Sequence, residues 1–575
     1  MKKPLLSELT LREKIGQMLA PHQWDVYGKI ETDFDFTPAN MDEVKARYRT
    51  EGFGTLRAEQ VGVYFTDPRH FKAMDQNAAD TTEGDLFAYG KIRIDSAPYK
   101  EYMDEMRSWM KIPPLVAGDC TTGPSNVFTD LSSTCNALTI GAADSEELTF
   151  QLGAAVAREL RCVGFNWRWC PVMDMGNRNS SSIMRTFAAD DYERDLRLSK
   201  AYVSGMQSEG VAACVKHFPG KDRVSARDAH FTPTVNMSSM DEWWAEQGKA
   251  FQEMFDYGVY SVMISHDAFP AVDDEKVNGR YRPSTISKKV ITDLLKGTMG
   301  FKGVVITDGI GMGALFSLMP YEQLIVELVN AGNDVILGSK MSSGDLIEQA
   351  VLDGRIPESR IDDACQRVLD MKEKLGLFEE NYQDYPYKAE DLVPQTAKVN
   401  AQLVKRSMTL VRDRNNLLPV KKENVKKVSV IVSSHKETIM EDLEPMKQAL
   451  EARGIEVYMQ RRLKNARELK KIADDSDLII YAAFVGMHCP KGYFRLFGEE
   501  CQTFYYAFNH GKEKSVGVSF GYPYIHYDNM EGADAFINAN SLEKDSQIAF
   551  VEALFGEIGL EGKSPVLLEP RANTI

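Results

Sequence analysis

At 575 residues the chain is too long for one hydrophobic core and should divide into two or three domains. Its 43% hydrophobic and 26% charged content is that of an ordinary folded protein. A formal net charge of -16 excludes nucleic acid or an anionic membrane as the main partner, because phosphate binding needs clustered Lys and Arg.

The chain opens Met1-Lys2-Lys3-Pro4. No apolar core of signal-peptide length follows, and no later stretch reaches the ~18 apolar residues of a membrane span. The 8 cysteines are scattered and none forms a CxxC pair, so they read as buried free thiols. A cytoplasmic protein is therefore expected. From there to residue ~375, apolar strand-like runs alternate with helical patterns. Residues 61–65 form one run, and 114–118 another that ends at Asp119. Residues 164–171 lead to Asp174, 211–215 to Lys216-His217, and 260–264 to Ser265-His266-Asp267. Residues 304–307 lead to Asp308 and the glycines Gly309, Gly311 and Gly313, and 333–338 come last. Helix-length stretches lie between, such as 145–160 and 287–295. Repeated strand-helix units predict a parallel sheet, and polar residues just after strands favour a (β/α)8-type barrel with its site at the C-terminal strand ends.

Residues 346–377 read as strongly helical, and 382–387 break that pattern. A helix over 397–410 and a turn over 415–420 lead into a second α/β region. Its strands are read at 428–433, 478–484, 515–519 and 533–538, its helices at 441–453 and 546–555. The expected plan is an α/β chain: a catalytic TIM barrel over 1–380, a linker over 381–400, and a smaller doubly wound α/β sandwich over 401–575.

Two strand ends carry most of the chemistry. Lys216-His217-Phe218-Pro219-Gly220 is followed by Asp228-Ala229-His230, a carboxylate and an imidazole two residues apart. An imidazole with pKa near ~6.5 both donates and accepts a proton near neutrality, and Asp228 would orient it. Asp308 reads equally well as a nucleophilic carboxylate or as the cap of the next helix. Trp167 and Trp169 alternate as core residues do. His217, His230 and His266 lack metal-ligand spacing, so no metal and no cofactor is expected. Glu499 and Glu500 read as a solvated helix start.

In order along the chain stand Thr10 to Met18, Val172-Met173-Asp174, Arg185-Thr186-Phe187, the Lys216 to Gly220 segment, Ile306-Thr307-Asp308, Ala331 to Asp334 and Gly354 to Pro357. Leu417-Leu418-Pro419 and Leu554-Phe555-Gly556 follow. Together these resemble glycoside hydrolase family 3 over nearly the whole length. Asp228-Ala229-His230 resembles the Asp-x-His dyad of its β-N-acetylglucosaminidase branch; other branches take a Glu from the second domain. The chain departs from that branch at Lys221-Asp222-Arg223 and at Cys120 to Pro124, where Glu-Gly-Gly-Arg type text is usual. The resemblance implies a retaining, exo-acting β-glycosidase that releases a terminal N-acetylhexosamine through a glycosyl-Asp308 intermediate. His230 would be acid/base and Asp228 its partner. Asp119, Arg185, Lys216, His217, Asp174 and His266 would line the sugar site. The partner is a small glycoside or oligosaccharide, and self-association into a homo-oligomer stays open. The alternatives are a β-glucosidase-like enzyme using Glu499 or Glu500, a β-glycoside phosphorylase, and a sugar-binding regulator without catalysis.

Overall fold

The computed structural model describes residues 2–21, 26, 28–32, 35–38, 41–57, 94–176, 178, 180–221, 227–382, 385–486 and 495–568. The strand expected at 61–65 and Cys489 lie outside them.

The first half is built on β1 (Leu19–Pro21), β2 (Thr55–Arg57), β3 (Leu115–Gly118), β4 (Trp167–Arg168), β5 (Ala212–Phe218), β6 (Ser261–Ile264), β7 (Val304–Thr307) and β8 (Ile336–Ser339). Strands β2 to β7 form one curled parallel sheet in chain order. β1 pairs with β8 in parallel, and a bridge from Ile306 to Val335 joins β7 to β8. Gly54 N–H donates to Gly16 O (2.7 Å), which brings the approaches to β1 and β2 together. A Cβ on Gly54 would stand 2.2 Å from Gln17 O, so only glycine allows this contact. Apart from charged and polar residues near their ends, such as Arg57, Arg168, Lys216 and His217, the strands are largely apolar without alternation because helices cover one face and barrel side chains the other. Trp167, Trp169, Cys214, Met263 and Ile306 fill the interior, so both tryptophans are core as read.

The stretch expected as one helix over 346–377 is two, Ser343–Leu352 and Glu358–Lys374, broken at Gly354 to Pro357. A long helix starts at Ala389, inside the expected linker, because Leu392, Thr396, Asn400, Leu403, Val404 and Ser407 line one buried face. That face meets the barrel: Asn400 Oδ1 accepts from Cys135 N (2.7 Å).

The second half contains β9 (Thr409–Asp413), β10 (Lys427–Ser434), β11 (Glu456–Arg461), β12 (Leu478–Phe484), β13 (Ser515–Ser519) and β14 (Ala535–Asn538). Their order is β9-β14-β13-β12-β10-β11, parallel except for β9. β9 takes the place of the end of the helix expected over 397–410. Residues 562–568 then cross back over the barrel. Gly562 N donates to Met408 O (2.9 Å), Lys563 pairs with Asp144 (2.8 Å), Val566 is buried in the cluster of Leu138, Ile183 and Met184, and Leu567 N donates to Asp190 Oδ2 (2.5 Å). The seven described cysteines are free. Among the described residues no helix is long and apolar enough to cross a membrane.

Candidate active site

The polar residues singled out at strand ends converge at the C-terminal mouth of the barrel. Asp308 directly follows β7. Its backbone N–H donates to Ile264 O (3.1 Å), and its Oδ1 accepts from Gly309 N (2.8 Å). The next helix starts at Gly313 after Met312, so Asp308 is not its cap. His217 Nε2 lies 3.7 Å from Asp308 Oδ2, and the Asp308 side chain is 21% exposed. Burial opposes ionisation here, but His217, His266, His230 and Lys216 outweigh it and hold the carboxyl well below the usual carboxylate range. An ionised, rigidly held carboxylate facing the mouth is what nucleophilic attack on an anomeric carbon requires.

His230 Nδ1 meets Asp228 Oδ1 at 2.7 Å, and the same oxygen accepts from His230 N (2.9 Å). The ring is 25% exposed while Asp228 is nearly covered. Burial would raise the Asp228 carboxyl, but the hydrogen bonds and charge of His230 and the charge of Lys221 bring it down to about 2. A carboxylate only accepts, so Nδ1 carries a proton and Nε2 is left to exchange one. The dyad turn is tied to the loop after Asp308: Gly313 N donates to His230 O (2.9 Å) and Ala314 N to Ala229 O (3.1 Å). A Cβ on Gly313 would stand 2.8 Å from Phe231 O. Glycine there lets the two loops touch.

Lys216, 3% exposed, pairs with Asp119. Burial opposes the charge of Asp119, but Lys216, Arg185 and Arg57 lower its carboxyl. Asp174 accepts from His217 N (3.0 Å) and from His217 Nδ1 (2.7 Å), with Lys221 Nζ at 4.0 Å. Burial holds the His217 imidazole below its ordinary pKa despite Asp174. Asp174 thus aims His217 at Asp308. His266 is buried, with Nε2 on Gly309 O (2.9 Å) and Nδ1 on Thr285 Oγ1 (2.9 Å). A carbonyl cannot donate, so Nε2 carries the proton and Thr285 donates to Nδ1. Burial keeps this ring below its ordinary pKa as well. Its nitrogens fix the Gly309 peptide behind the nucleophile.

Glu500 corrects the sequence reading, while Glu499 is solvated as read, its side chain 73% exposed. They do begin a helix, but Glu500 is 2% exposed and not solvated. Its oxygens accept from Ser433 Oγ (2.9 Å), Ser434 N (2.9 Å), Arg461 (3.1 Å) and Arg462 Nε (2.7 Å). Glu499 pairs with Arg462. Arg57, Arg168 and Asp195 carried no candidate role. Asp195 Oδ1 accepts from Phe187 N (2.9 Å) and Ala188 N (3.3 Å) beside Arg185, and burial pushes its carboxyl up to about 8. For Arg168 the only hint was its charge between Trp167 and Trp169; Asp195 stands among Glu193, Arg194 and Arg197 and offered none.

A parallel α/β barrel with a carboxylate and a His–Asp pair at its C-terminal mouth is the arrangement of a barrel enzyme. The chain belongs to glycosyl hydrolase family 3, whose N-terminal domain matches residues 10–371, and it is a glycoside hydrolase. It is 26% identical over 487 residues to a β-N-acetylglucosaminidase/β-glucosidase of Cellulomonas fimi, covering 80% of this chain and 85% of that one. To a β-hexosaminidase of Stenotrophomonas maltophilia (strain K279a) it is 33% identical over 196 residues, 34% of this chain and about half (55%) of that one. A β-glucoside phosphorylase structure is similar at TM-score 0.78 and 24% identity, covering 98% of this chain and 94% of that one. A family 3 β-N-acetylglucosaminidase from Paenibacillus sp. str. FPU-7 is similar at TM-score 0.74 and 22% identity, covering 97% and 99%. Likeness at that identity shows the fold.

Proposed function

We propose that this protein removes a terminal β-linked N-acetylhexosamine, N-acetylglucosamine first, with retention of configuration. Asp308 attacks the anomeric carbon and forms a glycosyl ester while His230 protonates the leaving oxygen. His230 then takes a proton from the water that cleaves the ester. Asp228 stabilises the imidazolium that gives its proton in the first half and is formed again in the second. The observation that carries the reading is the Asp228–His230 hydrogen bond of 2.7 Å on a turn tied to the loop behind Asp308. The rival acid/base, Glu500, is occupied by Ser433, Ser434, Arg461 and Arg462. The relatives named as hexosaminidases support the sugar.

The test is leaving-group dependence. In His230→Ala, cleavage of a sugar leaving group should fall by about 10²–10⁴-fold, the usual worth of general acid-base help. An activated aryl leaving group needs little protonation, so its glycosylation step should persist and the glycosyl-enzyme accumulate. Absence of leaving-group dependence in His230→Ala, with strong dependence in Glu499→Gln or Glu500→Gln, would overturn the assignment. A second reading, phosphorolysis, draws on the acid/base being an imidazole: a neutral ring repels incoming phosphate less than a carboxylate does. Release of sugar 1-phosphate when phosphate is added separates the two.

A further inference from the structure

Arg168 is a cation inside the barrel wall. It ends β4, is almost fully buried, and has no carboxylate in ion-pair range among the described residues. A buried guanidinium without an anion is costly unless its donors are satisfied. Here they are. Nε donates to Asp119 O (3.2 Å), Nη2 to Cys120 O, and Nη1 to Tyr202 OH, whose ring also lies 5.5 Å from the guanidinium carbon. Two of these acceptors are the successive carbonyls on either side of the bend that leaves β3. Cys120 is in the left-handed region there, at φ 43°, without being glycine. That conformation is unfavourable for a residue with a Cβ and persists only when its surroundings impose it. The Asp119 carboxylate, at the same bend, is the partner of Lys216 and is 34% exposed at the mouth.

We propose that Arg168 is a positioning residue for sugar recognition: its fork grips the Asp119 and Cys120 carbonyls and so sets the direction in which the Asp119 carboxylate meets a sugar hydroxyl. This deepens the glycosidase reading and rests on it. The planar fork matters because a lysine ammonium in the same place can satisfy one carbonyl but cannot span both. Tyr202 acts one step further out, by holding the guanidinium in plane.

The test uses the full chain, a β-N-acetylglucosaminide and its monodeoxy forms, each lacking one hydroxyl. Asp119→Asn first identifies the hydroxyl that Asp119 accepts, as the one whose removal abolishes the penalty of that variant. Arg168→Lys should raise KM about tenfold with kcat nearly kept. Its penalty should shrink to within about twofold on that same deoxy substrate and on no other. Tyr202→Phe should show the same pattern at about a third of the size, and it keeps the proposal testable if Arg168→Lys folds poorly. Binding of the corresponding monosaccharides, followed by calorimetry, must show the same selectivity. A penalty spread evenly over the panel, or one confined to kcat or thermal stability, would mean that Arg168 only supports the fold and would sink the inference. If wild type cleaves a different glycoside, the substrate reading fails while the panel is rebuilt on that sugar. If Asp119→Asn is selective and both Arg168→Lys and Tyr202→Phe are not, this inference fails alone.

Discussion

At the scale of single residues, the site separates groups by charge state. The positive groups around Asp308 hold its carboxyl well below the usual range, while burial lowers the pKa of the His217 and His266 imidazoles. Asp308→Ala should therefore lower hydrolysis by orders of magnitude, because no glycosyl ester can form. A mechanism-based fluorosugar should label the peptide containing Asp308, and mass spectrometry checks this; a label on another carboxylate refutes it. Asp228 offers a pH test. Its carboxyl in the folded protein lies at about 2, below its ordinary 3.8. The stabilisation from its bond to His230 is then fully present above the ordinary value and is lost as pH falls toward the folded one. Denaturant midpoints should fall more steeply between pH 4 and 2 in the wild type than in Asp228→Asn.

At the scale of elements, buried parallel strands were the most legible part of the chain. Val304–Thr307 and Leu478–Phe484 stand where their uninterrupted apolar text places them, because strands covered on both faces need no polar residue. β1 and β2 were illegible: each has three residues, too few to show any period, and their pairing comes from the whole barrel. β11 was missed because it lies at the sheet edge and carries Glu456, Gln460 and Arg461. In the site, residues directly after long strands could be read, whereas Arg168 and Asp195 bond backbone carbonyls and amides, so their partners could not be read from side chains. Two further expectations belong here. Glu500→Gln should destabilise the fold by about 2–3 kcal/mol, under the 3–5 of a fully buried pair because Arg462 is partly exposed. Glycosidase kcat at permissive temperature should be kept. Lys372, buried on the helix Glu358–Lys374 with Gln17 Oε1 at 2.5 Å, has its pKa lowered by burial to about 7. Between there and its ordinary 10.5 the unfolded chain binds more protons, so stability should rise with pH over that window. Lys372→Met should remove that slope from the denaturation midpoints.

At the scale of the whole molecule, the two halves are joined through the rim that carries Arg185. Tyr522 OH donates to Arg178 O (2.6 Å), Arg178 pairs with Asp528 (2.9 Å), and Asn136 Nδ2 donates to Asn540 O (2.7 Å). Residues 562–568 add a strap across barrel helices to Asp190. A chain stopped after residue 561 should lose several degrees of Tm and bind sugar more weakly, with KM raised more than kcat is lowered, because the rim loses the bond from Leu567 N to Asp190 and keeps only that from Tyr524 among those described. Calorimetry and steady-state kinetics on that truncation check it; an unchanged KM would show that the strap only adds stability.

The bond from Leu567 N to Asp190 joins residues 377 positions apart. At roughly 5–20 residues per second of synthesis, the ribosome needs about 20–75 s to travel that distance. A nascent barrel must wait that long with one edge of its mouth unfinished. Full sugar affinity should therefore appear late, only once Leu567 can reach Asp190, and chaperones that shield apolar surface should matter most during that interval.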